Sequence, residues 1–275
     1  MEWLDYVVMG IVQGITEFFP VSSDGHLVLA GHLIGFNNPS LLFDVMLHFG
    51  TLGSLFVVYR REVGELVAST WKMLLEVFRV GPKAAFLHAD RWVLYIWIMT
   101  FVTGVAGILM ERTVEDLTTN LTAAGIGFLI TSVFLWIAII FAKKATGDVR
   151  QMPIYFPIAL GLIQGLALLP GVSRSGSTIC LALILGVKRE QAGKFSFVGA
   201  IPIILMATLY QFRKIFFEPV DHIGPIALGV LVSFITGFFA IRLLILMLTK
   251  MSLWPFAVYT LFAAAVAFAG SMGIF

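Results

Sequence analysis

Pro170-Gly171-Val172-Ser173-Arg174-Ser175-Gly176 interrupts an otherwise apolar run over 154–187, and Pro20-Val21-Ser22-Ser23-Asp24-Gly25 interrupts another over 6–34. Both runs are long enough to enter a bilayer, but these residues break the helix and leave amides that hydrocarbon cannot satisfy. Irregular backbone at membrane depth is tolerated only where protein or a wet cavity surrounds it. Each run therefore reads as a helix-loop-helix hairpin that enters and returns, its tip lining an internal cavity. With an offset of 151, Gly10, Gln13, Gly14, Ser22 and Gly25 fall on Gly161, Gln164, Gly165, Ser173 and Gly176. The shared Q-G and S-x-x-G spacing marks an internal duplication.

The remainder of the chain fits a membrane protein. Of its 275 residues 59% are hydrophobic and 12% charged, against about 25% charged in soluble domains, which excludes an ordinary soluble fold, a disordered chain and a disulfide scaffold. A net charge of +2 leaves no nucleic-acid footprint, and Cys180 is the single cysteine. Two acids and no base precede the first apolar run, as expected of a mature N-terminus rather than a signal peptide. Six stretches approach the roughly 20 apolar residues of a full span: 41–59, 92–110, 121–142, 195–211, 225–248 and 254–273. The expected fold is an all-α integral membrane protein of six full spans plus two re-entrant hairpins in an inverted-topology repeat. Residues 1–275 form one transmembrane domain, with repeat one over about 1–110, repeat two over about 154–249 and a final span over about 254–273.

Three spans separate the copies, so one hairpin dips from each side and the tips should meet near the midplane. If both hairpins return, 60–91, 143–153, 188–194 and 249–253 share a side and hold thirteen bases, against three in 111–120 and 212–224. The positive-inside rule puts the first set in the cytoplasm and both termini outside. Residues 60–91, with periodic Val, Leu, Trp71, Met73 and Phe78 among bases, read as an amphipathic helix on the cytoplasmic leaflet.

Gln13, Glu17, Ser22, Ser23, Asp24 and His26 lie within fourteen residues of apolar chain, a costly concentration without a purpose. Gln13 and Glu17, four apart, share a helix face, as do Ser23 and His26, three apart, so a carboxylate, a hydroxyl and an imidazole converge. The second copy offers Ser173, Arg174, Ser175 and Thr178 at a helix start, a setting suited to a phosphate-like oxyanion. Ser22 and Ser173 also read as N-caps. His48, four residues after Asp44 in the first full span, reads as a helix-to-helix hydrogen-bonding residue that can also face the cavity.

These residues resemble the undecaprenyl-diphosphatase family, the membrane phosphatases associated with bacitracin resistance. The resemblance rests on Gln13-Gly14-Ile15-Thr16-Glu17 running on to Ser22-Ser23 and Gly25-His26, and on P-G-x-S-R-S-x-x-T complete from Pro170 to Thr178. It implies hydrolysis of a polyprenyl diphosphate to the monophosphate lipid carrier used for cell-wall polymers, in the plasma (inner) membrane, with the active site facing outward. Carried over by position, Glu17, Ser23, His26 and Arg174 are the catalytic residues, and Ser22, Ser173, Arg174, Ser175 and Thr178 the phosphate-binding ones. The family's divalent cation, Mg2+ or Ca2+, would fall to Glu17 and Gln13, although Gln13 is an amide where many members have Glu. Asp24 stands where Thr is common and is open to capping, to orienting His26 or to helping the metal. On this reading Ser23 attacks phosphorus with His26 as general base; the rival has Glu17 or the metal activate water. The partners are the lipid substrate and the bilayer, and a homo-oligomer is allowed. The other class left open is a transporter or flippase of polyprenyl phosphate or another anion, the architecture being one that transporters share.

Overall fold

The computed structural model describes residues 2–36, 41–142, 145–215, 222–250 and 252–274, and every regular element among them is helical apart from an isolated bridge between Gly147 and Val187. Four of the six stretches expected to span fall within one helix, and 41–59 and 254–273 overrun theirs by one and two residues: α3 (Leu41–Val58), α6 (Arg91–Leu117), α7 (Leu121–Ala142), α10 (Arg189–Ile215), α11 (Ile223–Lys250) and α12 (Trp254–Ser271). Five of these are long and apolar enough to cross a membrane alone, and α3 qualifies only together with α4 (Arg60–Val80), to which it is bent by 90°. α4 buries Leu66 against the bundle but bares Val67, Trp71 and Phe78, so part of its apolar surface stays exposed. The short α5 (Pro82–His88) follows it.

The two interrupted runs form α1 (Glu2–Thr16) with α2 (Ser23–Ile34), and α8 (Tyr155–Leu166) with α9 (Arg174–Ile184). The longest has 15 residues, about 22 Å at 1.5 Å per residue and short of a bilayer core of roughly 30 Å. Their packing is reciprocal: α1 lies on α11 and α8 on α6, α11 also meets α3, and α6 also meets α10. In an apolar solvent such contact rests on close packing rather than on hydrophobic exclusion, which favours small residues. A Cβ at Gly14 would stand 1.9 Å from Thr236 Oγ1, and one at Gly165 2.5 Å from Ala106 Cβ. The repeated Gly-x-x-x-Gly of each first arm is thus the face laid against a long helix.

The second arms, α2 and α9, both rest on α7, which α12 backs from behind. Their tips touch, since a Cβ on Gly25 would lie 2.8 Å from Gly171 Cα. The main buried cluster holds Phe195 5.7 Å from Phe156 and 5.9 Å from Trp92, centroid to centroid, and Phe197 against Phe18 and Tyr59.

At the end of the bundle where α6 and α10 begin, Asp90 caps α6 by accepting from the Trp92 amide and pairs with Arg150 at 3.0 Å. Partial burial opposes ionisation of Asp90, but the hydrogen bonds from Arg150 and Trp92 and the Arg150 charge outweigh it and hold this carboxyl below its ordinary range.

A candidate active site where the two breaks meet

Glu17 follows α1 by one residue, its amide still bonded to Gln13 O at 2.9 Å, so the helix end directs its carboxylate inward. Glu17 is 6% exposed and its carboxylate takes three donors. Ser23 Oγ donates to Oε2 at 2.7 Å, Gln13 Nε2 donates to the same oxygen at 3.1 Å, and Arg174 Nη2 donates to Oε1 at 2.6 Å. Low polarisability makes this ion pair expensive to break, because either charge alone would be stranded. Arg174 Nη1 is buried without an acceptor. All three of Glu17, Ser23 and Arg174 line a cavity of about 660 Å³, together with Ser22, Asp24, Asp44, His48 and Ser173.

Two helices begin at this cavity. Ser22 caps α2, its Oγ accepting from Gly25 N at 3.4 Å, and Ser173 caps α9, accepting from Gly176 N at 3.0 Å. Their N-terminal amides and partial positive charge are therefore available to an anion. The cap reading of both serines holds, and it leaves both at the cavity wall. Ser175 and Thr178 are turned to structural uses instead: Ser175 donates to Phe19 O at 3.1 Å and joins the tips, while Thr178 bonds Arg174 O and Ser196.

The structure does not bring His26 to Ser23. Its Nδ1 lies 2.6 Å from Ser22 O and its Nε2 2.8 Å from Tyr259 Oη, on the side of α2 that faces α7 and α12. Two other imidazoles, His32 and His48, line the cavity, and the one that meets its carboxylates is His48. Its Nδ1 meets Asp44 O at 2.9 Å within its own helix, and its Nε2 stands 3.4 Å from Asp24 Oδ1 and 3.7 Å from Glu17 Oε2. Asp24 thus faces His48 rather than His26. The signal in the sequence was the Asp44–His48 pair in an apolar span, which identifies a cavity-facing helix side without naming its partners.

The residues expected to hold a divalent cation do not form such a site by themselves. Gln13 turns its NH₂ toward Glu17, leaving Oε1 buried and unpartnered, and both Glu17 oxygens are occupied. Among the described residues no group of three or more His, Cys, Asp or Glu side chains is arranged to hold a metal.

Fold and site define a helical integral membrane protein with a buried carboxylate, hydroxyl and guanidinium assembled from two broken helices. Residues 6–266 match the family model described as bacitracin resistance protein BacA, and the chain belongs to that family. It is 37% identical to an undecaprenyl-diphosphatase of Desulfatibacillum aliphaticivorans over 274 residues, covering 94% of this chain and 95% of the relative. An undecaprenyl-diphosphatase of Alkaliphilus metalliredigens (strain QYMF) is 36% identical, with 92% and 93% covered, and one of Saccharophagus degradans (strain 2-40 / ATCC 43961 / DSM 17024) 33% identical, with 98% of each covered.

Proposed function

We propose that this chain is a membrane phosphatase that hydrolyses undecaprenyl or a similar polyprenyl diphosphate to the monophosphate and inorganic phosphate, returning the lipid carrier to cell-wall polymer synthesis. Family membership and relatives named undecaprenyl-diphosphatase support it. The observation that carries it is the Ser23 hydroxyl donating to Glu17 in a cavity where Arg174 holds a buried N–H with no acceptor. A nucleophile with its base stands beside a guanidinium that has hydrogen-bonding capacity to spare.

In this reading the terminal phosphate takes Arg174 Nη1 and the amides at the starts of α2 and α9. Ser23 Oγ attacks phosphorus as its proton passes to Glu17 Oε2, and the anhydride P–O bond breaks with its electron pair going to the bridging oxygen of the leaving lipid monophosphate. Glu17 passes that proton to the departing monophosphate. Water then attacks the phosphorus of the seryl phosphate, losing a proton to the carboxylate. The Oγ–P bond breaks with its electron pair on Ser23 Oγ, which takes that proton back as inorganic phosphate leaves. Glu17 takes the base role for which the sequence pointed to His26, and the direct hydrogen bond from Ser23 is the reason. The expected Mg²⁺ or Ca²⁺ is carried here as an ion held mainly by substrate phosphates and water, and no step runs through it.

The two broken helix pairs act as re-entrant hairpins of an inverted repeat within one transmembrane domain, a reading supported by their short arms and reciprocal packing. The site opens outward from the inner membrane, with both termini outside. Glu115, Thr118 and Thr119, in a base-poor segment, line the cavity, whereas Asp90, Arg150 and Lys194, in base-rich segments, do not. Apolar Leu27, Val28, Ile203, Ile204 and Ala207 on the same cavity suit the prenyl chain. A carrier without chemistry needs Arg174 and the helix ends but has no use for the Ser23–Glu17 hydrogen bond.

The test is phosphate release from a polyprenyl diphosphate by purified protein in detergent, with and without divalent cation, for wild type, Ser23→Ala, Glu17→Gln and Arg174→Ala. Loss in all three variants supports one shared site, and a wild type that binds lipid but is inert with every cation returns the transporter reading. Activity surviving in Ser23→Ala alone assigns the attack to water.

A further inference from the structure

We propose that Tyr259 and His26 are a positioning pair for Ser23: the last helix holds the imidazole in the tautomer that fastens the peptide on which the nucleophile is mounted. This rests on the hydrolase reading above and assigns His26 a different task from the general base its sequence position implied.

The partners of the ring decide its protonation. Ser22 O is a carbonyl and only accepts, so Nδ1, 2.6 Å away, carries the hydrogen. Neutral imidazole then has its lone pair on Nε2, which accepts from the Tyr259 hydroxyl at 2.8 Å. The two rings lie 5° from parallel, and Phe128 meets the imidazole edge-on at 5.0 Å. His26 is 8% exposed and absent from the cavity wall, so neither nitrogen faces substrate.

The atom that Nδ1 holds belongs to the peptide linking Ser22 to Ser23. Ser22 has φ 69°, a left-handed conformation that residues with side chains rarely adopt. The same carbonyl takes the His26 backbone amide at 3.3 Å, a long bond, so the side chain supplies the shorter one. Fixing that carbonyl fixes the plane from which Ser23 departs, and with it the 2.7 Å approach of Ser23 Oγ to Glu17. Without the Tyr259 hydroxyl, the proton is free to move to Nε2 and the carbonyl loses its donor. Tyr259, 233 residues away in sequence, thereby acts on Ser23 through His26.

The decisive experiment pairs a tautomer measurement with kinetics. ¹⁵N NMR of histidine-labelled protein in detergent, with His26→Asn to assign the resonance among the five histidines, is expected to show His26 protonated at Nδ1 in wild type and a mixture of tautomers in Tyr259→Phe. Losing one hydrogen bond should lower kcat of Tyr259→Phe by about five- to tenfold, with KM within about twofold because binding groups are untouched. Asn places an amide N–H where Nδ1 stands, so His26→Asn should lose no more than about tenfold in kcat and become indifferent to Tyr259→Phe. Gln, whose amide reaches the Nε2 position, should do worse than Asn. An Nε2-protonated His26 in wild type, or a Tyr259→Phe that moves neither resonance nor kcat, overturns the proposal. So does a loss of a hundredfold or more in both His26 variants, the range of a removed general base. A wild type that releases no phosphate sinks the hydrolase reading, while the tautomer measurement still decides the pair.

Discussion

Between α1 and α2 the chain turns with Ser22 at φ 69°, whereas between α8 and α9 the left-handed residue is Gly171 at φ 84°. Glycine takes that conformation at no steric cost, while serine has to be held in it. The second tip accordingly stands as a plain Pro-Gly turn, and the first is tethered by a histidine. The offset of 151 that aligns the two interrupted runs also sets Ser23 against Arg174, the first residues of α2 and α9. One position thus carries a hydroxyl beside a carboxylate in one copy and a guanidinium in the other. A buried carboxylate or guanidinium alone at such a tip would be costly. Facing one another 2.6 Å apart they neutralise, and the contact that builds the site also ties the two broken helix pairs together.

The sharpest test of this division of labour is Ser23→Ala, which should cut phosphate release on the order of 10⁴-fold or more while leaving the melting temperature in place. Its counterpart, Arg174→Ala, should behave differently. It is expected to lose about 10²–10³-fold in rate and also about 3–5 kcal/mol of stability, because Glu17 is left charged and buried. Adding Glu17→Gln to Arg174→Leu should recover much of that stability without activity, measured by thermal denaturation beside the phosphate assay. If Ser23→Ala destabilises as much as Arg174→Ala, the two positions are not divided as described.

The turns themselves give a smaller contrast. Ser173→Ala should cost about 1 kcal/mol through loss of its cap. Ser22→Gly gives up a longer, weaker cap and relieves the left-handed backbone, so its melting temperature should stay at or above that of wild type. The smallest effect is expected at the Asp90–Arg150 pair, an ion pair like that of Glu17 and Arg174 but with side chains 37% and 54% exposed. Asp90→Asn should cost no more than about 1 kcal/mol. With the folded carboxyl below its ordinary range, its contribution is complete above the unfolded pKa and disappears as pH falls through the folded one. A salt-sensitive loss of stability at acid pH, absent in Asp90→Asn, is the measurement.

Much of the helical layout was legible, because hydropathy and helix breakers act locally. Each expected span matches one helix to within a two-residue overrun at its end, and both breaks lie where Pro, Gly and Ser cluster. A span ending at 59 followed by a separate amphipathic helix from 60 fits the 90° bend after Val58, but the start of α10 at Arg189 rather than near Phe195 was not written there, since a polar first turn hides a helix start from hydropathy. Glu17, Ser23 and Arg174 were found and the structure brings them together. Ser23 and His26, three apart on one helix, pointed to a couple, yet Ser23 turns to Glu17 and His26 to Tyr259. Spacing sets the direction in which a side chain leaves the helix, not which neighbour waits there.

By itself the sequence determined where the chain enters apolar surroundings, where it breaks, and which polar groups each break carries, because all three depend on residues within a turn or two of one another. Tertiary structure alone decided the pairings. Arg174 reaches Glu17 across 157 residues and Tyr259 reaches His26 across 233. Those distances close only because α1 lies on α11, α8 lies on α6, and α12 stands behind α7. Packing, which depends on the shape of every helix at once, thus selected Glu17 as the partner of Ser23 and left His26 to hold the turn.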